Sequence, residues 1–149
     1  KNPSIPMKFA LGILQLGAGF LVTLLGMQFA SEEAMVPLLT LVVLYLLHTT
    51  GELFLSPIGL SMVTKLSPKS MAGTAMGGWF LSFAIANYAG GLIASLTGGH
   101  GDSGEELTAA AGLLKYTDVF ATIGWTCVGI AVLIAVLNKP LNKLMHGVK

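Results

Sequence analysis

From Met35 to Leu66 the chain reads MVPLLTLVVLYLLHTTGELFLSPIGLSMVTKL, 32 residues in which Glu52 is the only fixed charge before Lys65. As one helix this run is about 48 Å long at 1.5 Å per residue, more than a hydrocarbon core of about 30 Å. An ionised side chain in hydrocarbon costs at least about 2.5–3.5 kcal/mol. Chains keep such a residue where it faces a cavity, a partner or a transported species. The run therefore predicts a long membrane helix that turns Glu52 inward.

Three further apolar runs have membrane length: Phe9 to Phe29, Met71 to Leu96 and Val119 to Leu137. Only 10% of residues are charged and the mean hydropathy is +0.78, whereas a soluble domain carries roughly 25% charged residues to cover its surface. The expectation is an all-α integral membrane protein with four transmembrane helices. Its charges give the orientation. There is no arginine, and seven of the eight lysines fall before the first run, between the second and third, or after the fourth. The positive-inside rule puts those segments, and both ends of the chain, in the cytoplasm. The connection at 98–116, which carries Asp102, Glu105 and Glu106, then lies in the periplasm. A net charge of +1 gives no reason to expect a nucleic-acid partner.

Catalytic and cofactor chemistry leave no trace. The single cysteine, Cys127, lies mid-span, and His48, His100 and His146 are scattered, so no metal-ligand spacing exists. No second catalytic group accompanies Glu52 at a credible spacing. An enzyme is not expected, nor is a metal or an organic cofactor. The opening Lys1-Asn-Pro-Ser-Ile-Pro6 reads as a connection cut from a longer chain.

Within the second run, Pro57 removes a backbone donor and crowds the carbonyl one turn back. With Gly51 and Gly59 on either side, a kinked or locally unwound helix is expected there. Tyr45, His48, Glu52, Ser56 and Gly59 share one face by their spacing of three and four, with Leu60 beside it. His48 has a plainer reading as a donor to a neighbouring backbone carbonyl, and Ser56 as a bond back to the Glu52 carbonyl. Glu52 has the weakest plain reading, because no basic residue lies within the spans to neutralise it. The third run is studded with small residues, among them Gly73 and Gly77, which suit close helix packing. Asn87 on the same run is expected to link helices, and Trp79 is the second candidate for a site.

The segment Gly51-Glu-Leu-Phe-Leu-Ser-Pro-Ile-Gly-Leu-Ser61, followed by Lys65-Leu-Ser-Pro68 and Met76-Gly-Gly-Trp-Phe-Leu-Ser82, strongly resembles the proton-dependent oligopeptide transporters of the major facilitator superfamily. The match is to their tenth and eleventh helices, so the four runs would be helices nine to twelve, the C-terminal part of a carrier with twelve or more. The resemblance implies a bacterial inner-membrane symporter of di- and tripeptides that works by alternating access, with the proton as coupling ion. It assigns Glu52 to the cavity acid that receives the peptide amine or a lysine of the N-terminal half and joins proton coupling. Ser56 matches a cavity serine, Trp79 a cavity tryptophan that packs on ligand side chains and helps close the inner gate, and Leu60 an apolar gate residue. The family's other motifs lie in N-terminal helices absent here. Two competing readings are a facilitator of another solute, such as nitrate or drugs, and a small structural four-helix membrane protein packed through Gly73 and Gly77.

Overall fold

Prolines and hydroxyl side chains set the ends of the helices. The computed structural model describes residues 3–31, 35–97 and 108–145, and among them there is no strand. Five helices run in order: α1 (Ile5–Met27), α2 (Leu38–Leu66), α3 (Ala72–Thr97), α4 (Ala109–Val136) and α5 (Asn138–Leu144). α1 opens with Pro6 in its first turn, where a missing N–H is an orphan in any case. α2 starts after Pro37 and ends at Ser67, whose N–H and hydroxyl both return to the Val63 carbonyl, at 3.1 and 2.5 Å. Thr108 caps α4 by accepting from the Ala111 N–H at 3.4 Å, as hydroxyl residues at helix starts do.

α1 begins at Ile5 rather than Phe9 and α2 at Leu38 rather than Met35, and the larger departures from the sequence expectation lie further along the chain. α4 begins at Ala109 rather than Val119, so residues 109–116 are its first two turns and not part of a loop. The alanines and leucines there propagate helix readily once Thr108 has capped it, and they carry Lys115 and Asp118 onto the helix. α5 was not expected at all; Pro140 is its third residue, in the first turn, where proline is tolerated. The acids Glu32 and Glu33, the rest of the expected loop at 98–107, His100, His146 and both lysine-bearing ends fall outside the described residues.

α1, α2 and α4 are long and apolar enough to cross a membrane. α3 has the length, 26 residues, but Gly73, Gly77, Gly78, Ser82, Asn87, Gly90 and Gly91 dilute its apolarity. The described residues thus give three such helices where the sequence suggested four. The outer faces are strongly apolar: Phe29, Leu38, Leu39, Tyr45, Tyr88 and Val136 are each more than two-thirds exposed. Surfaces like this belong against lipid or other helices, not water.

α1 lies between α2 and α4, packs along both and keeps their backbones apart. α3 meets α2 and brushes α4, and α5 folds back on the start of α1. There the Ser4 hydroxyl donates to Asn138 Oδ1 at 2.5 Å, and Asn142 Nδ2 donates to the same oxygen at 2.8 Å.

Glycines let α1 approach α2 so closely. Gly12, Gly19 and Gly26 recur every seven residues, a spacing that holds one face toward a partner helix. A methyl group at Gly12 would lie 2.7 Å from Leu55 Cγ, and one at Gly19 only 2.6 Å from His48 Cδ2. One at Gly26 would overlap the Thr40 side chain. Gly17 does the same toward α4, where its methyl would come within 3.1 Å of both Cys127 and the Gly124 carbonyl. Small residues permit such contact without side chains in between. The expected packing pair Gly73 and Gly77 meets nothing within 4 Å among the described residues.

Gly19→Val should therefore push α2 off α1. Overpacking of this kind costs about 1–3 kcal/mol. Thermal denaturation of the detergent-solubilised protein should show a lower midpoint; an unchanged midpoint would contradict the packing described.

Candidate functional site

α1, α2 and α3 together wall a cavity of about 460 Å³. α1 supplies an apolar back wall of Phe9, Ile13 and Leu16. α2 contributes His48, Glu52, Leu55 and Ser56, and α3 contributes Trp79, Ser82, Phe83 and Ala86. Thus Glu52, Ser56 and Trp79, which the sequence singled out, line one cavity. His48, Glu52 and Ser56 are successive turns of the same helical face.

Glu52 stands on a ridge. It is exposed in this chain and also lines an adjoining hollow of about 320 Å³, with Thr49, Leu53, Ser56, Pro57 and Leu60. Leu60 is therefore a neighbour of Glu52 and Ser56 on the far side of the ridge, not a member of the Trp79 cavity. No lysine lines either space. Tyr45, the first residue of the polar stripe, is 71% exposed and belongs to neither.

α2 runs without interruption through Pro57. Its two flanking glycines are buried contact points. Gly51 faces the Gly12 carbonyl and Leu16 across the α1 interface, at 3.3 and 3.4 Å from where a methyl would sit. Gly59 lies under the six-membered ring of Trp79, which a methyl would overlap. The indole is fixed further by Phe83 edge-on, with ring centroids 5.9 Å apart and planes at 84°. Its Nε1 is buried and has no hydrogen-bond partner. Such an N–H is costly to leave unpaired.

The remaining expected residues lie elsewhere. Asn87 Nδ2 donates to the Phe83 carbonyl of its own helix at 2.8 Å and is exposed. His48 makes the backbone contact its plainer reading predicted, with Nε2 at 3.2 Å from the Leu16 carbonyl of α1. Beyond the cavity, Gln15 Nε2 donates to the Thr50 hydroxyl, a polar tie between α1 and α2. Sequence reasoning missed Ser82 and Phe83, although their spacing of three and four from Trp79 marks them. It also missed Phe9, Ile13 and Leu16, which carry no polar signal. The set is suited to a small cationic group at Glu52 with an apolar or aromatic portion against Trp79 and Phe83. An anionic group would find no lysine here.

The model of the POT family matches residues 1–109. A dipeptide and tripeptide permease B of Aliivibrio fischeri is 36% identical over 147 residues, covering 97% of this chain and 29% of its own. A dipeptide and tripeptide permease A of Edwardsiella piscicida is 38% identical over 143 residues, 96% of this chain and 29% of its own. Another permease A, from Salmonella typhi, is 38% identical over 140 residues, 94% and 27% respectively. The chain spans less than a third of the length of these relatives.

The seat of Trp79 is open to a direct test. In a Trp125→Phe background Trp79 is the sole tryptophan, since the chain has two. Gly59→Val should expel the indole from its seat and raise its quenching by acrylamide several-fold. Equal quenching with and without the valine would contradict the contact.

Proposed function

We propose a role on one premise: the chain belongs to the POT family. It forms the C-terminal helices of a proton-coupled symporter of di- and tripeptides in a bacterial inner membrane, with both of its ends cytoplasmic. The missing N-terminal helices complete the carrier and supply the groups that hold the peptide carboxylate. Transport is its work, not covalent catalysis. The observation that carries this reading is the cavity shared by Glu52, Ser56 and Trp79, with no lysine among its lining residues to hold the acid.

The cycle follows from that chemistry. The peptide ammonium pairs with Glu52, and Ser56 one turn away adds a hydrogen bond. An apolar side chain of the peptide lies on Trp79 and Phe83, where contact area and ring stacking favour it. A proton is the other species that can neutralise the acid, so peptide and proton act on one group. In alternating access they weaken the pairing that closes the cytoplasmic side, and the region of Leu60 and Trp79 opens. Nitrate or another anion would meet a carboxylate and no cation from this half, which disfavours that alternative.

Glu52→Gln in the full-length carrier keeps the shape and removes the charge and the titrating proton. Loss of a charge-assisted hydrogen bond costs about 1.5–3 kcal/mol, so proton-driven dipeptide uptake into proteoliposomes should fall by at least about tenfold. Wild-type uptake and proton dependence would refute the assignment. Trp79→Ala should weaken peptides with bulky apolar side chains more than those with glycine or alanine. Ser103→Cys, in a Cys127→Ser background, should react with an impermeant maleimide from the periplasm; reaction only after permeabilisation would reverse the topology.

A further inference from the structure

His48 occupies a seat built for an imidazole. Gly19 of α1 leaves the space: a methyl there would lie 2.6 Å from Cδ2 and 2.7 Å from Nε2 of the ring. Phe20 covers the ring, with centroids 4.7 Å apart and planes at 58°, and Phe120 of α4 backs Phe20 in turn, at 5.4 Å. Nε2 is 3.2 Å from the Leu16 carbonyl. A carbonyl only accepts, so Nε2 carries the hydrogen and Nδ1 is the nitrogen left with a free lone pair. The Cδ2–Nε2 edge faces Gly19, and the opposite edge, which bears Nδ1, is turned away from it. The side chain lines the cavity one turn from Glu52.

The ionisable surroundings are sparse. From α1 the ring meets Leu16, Gly19 and Phe20, none of which titrates. The α3 wall is Trp79, Ser82, Phe83 and Ala86, and on α4 Phe120 backs Phe20 with the Tyr116 ring edge-on behind it at 5.9 Å. On α2 itself Glu52 is the one carboxylate, at the i+4 position, where side chains are neighbours with Cβ atoms about 5–6 Å apart.

We propose that His48 is a proton-binding residue of the cavity, taking a proton at Nδ1 and presenting the resulting imidazolium to Glu52 in competition with the peptide amine. This rests on the reading of Glu52 as the amine site. The proton comes from cavity water and returns to it, and only the Nδ1–H bond forms and breaks. The fixed Nε2–H holds the tautomer that leaves Nδ1 available. With the imidazolium in place, Glu52 is already neutralised and a peptide ammonium gains less from it. His48 would then set the pH range over which peptide is held and released.

The test is a nitrogen-15 NMR titration of the His48 imidazole in the full-length carrier, assigned by its loss in His48→Gln. That variant keeps an N–H donor for the Leu16 carbonyl. The ring should titrate between pH 5 and 8, and Glu52→Gln should lower its midpoint by about one pH unit or more, as removal of an opposite charge at this range does. A ring that stays in one protonation state over that range, or a midpoint that Glu52→Gln leaves in place, would overturn the proposal. A separate arm adds saturating dialanine to the wild type, which should lower the midpoint in the same direction. If Glu52→Gln moves the midpoint and dialanine does not, His48 binds its proton as proposed and the amine site on Glu52 is what fails.

Discussion

The structure depends on how closely α2 can lie against α1. Three glycines on one face of α1, seven residues apart, let Leu55, His48 and Thr40 of the antiparallel α2 pack against backbone. Between hydrocarbon-bathed helices no hydrophobic drive pulls them together, so backbone proximity and van der Waals contact must do so. That contact fixes the rotation of α2 about its axis. Once Gly12 and Gly19 receive Leu55 and His48, the neighbouring turns carrying Glu52 and Ser56 are bound to border the α1–α2 groove. α3 then closes the third wall by laying Trp79 on Gly59.

This order of construction explains the division of labour among small residues. Those of α1 and α2 are occupied: Gly12, Gly19 and Gly26 by side chains of α2, Gly51 by α1, Gly59 by an indole. The glycines of α3 meet nothing within 4 Å among the described residues, and large apolar side chains on the outside of α2 and α3 are exposed. Glu52, on the ridge between two hollows, is exposed as well. The chain spans less than a third of the length of the relatives it matches.

Much of this was legible in the sequence, and the boundary of legibility is physical. The class followed from length and apolarity, and Glu52, Ser56 and Trp79 announced themselves because polar or aromatic groups are conspicuous in hydrocarbon. Periodicity placed Glu52 and Ser56 on one face. It could not say which face of which neighbour they meet, so the apolar wall of Phe9, Ile13 and Leu16 stayed hidden. Gly51 and Gly59 suggested a kink beside Pro57; a sequence shows the absent side chain but not the group that fills its place, here Leu16 and Trp79. The glycines of α3 invited a packing role for the same reason. Thr108 is the informative miss: a capping threonine before an alanine run marks a helix start, yet hydropathy alone put that start ten residues later.

In the proposed role Glu52 receives the amino group of a peptide in a cavity shared with Trp79. The most direct measurement is a double-mutant cycle between carboxylate and amine, comparing the affinities of a dipeptide and its N-acetyl form for the full-length carrier and for Glu52→Gln. In the wild type acetylation should weaken binding by about tenfold or more, the value of a charge-assisted hydrogen bond. In Glu52→Gln the two ligands should bind nearly alike. An acetylation penalty of the same size in both proteins would contradict the claim, because the amine would then be held by some other group.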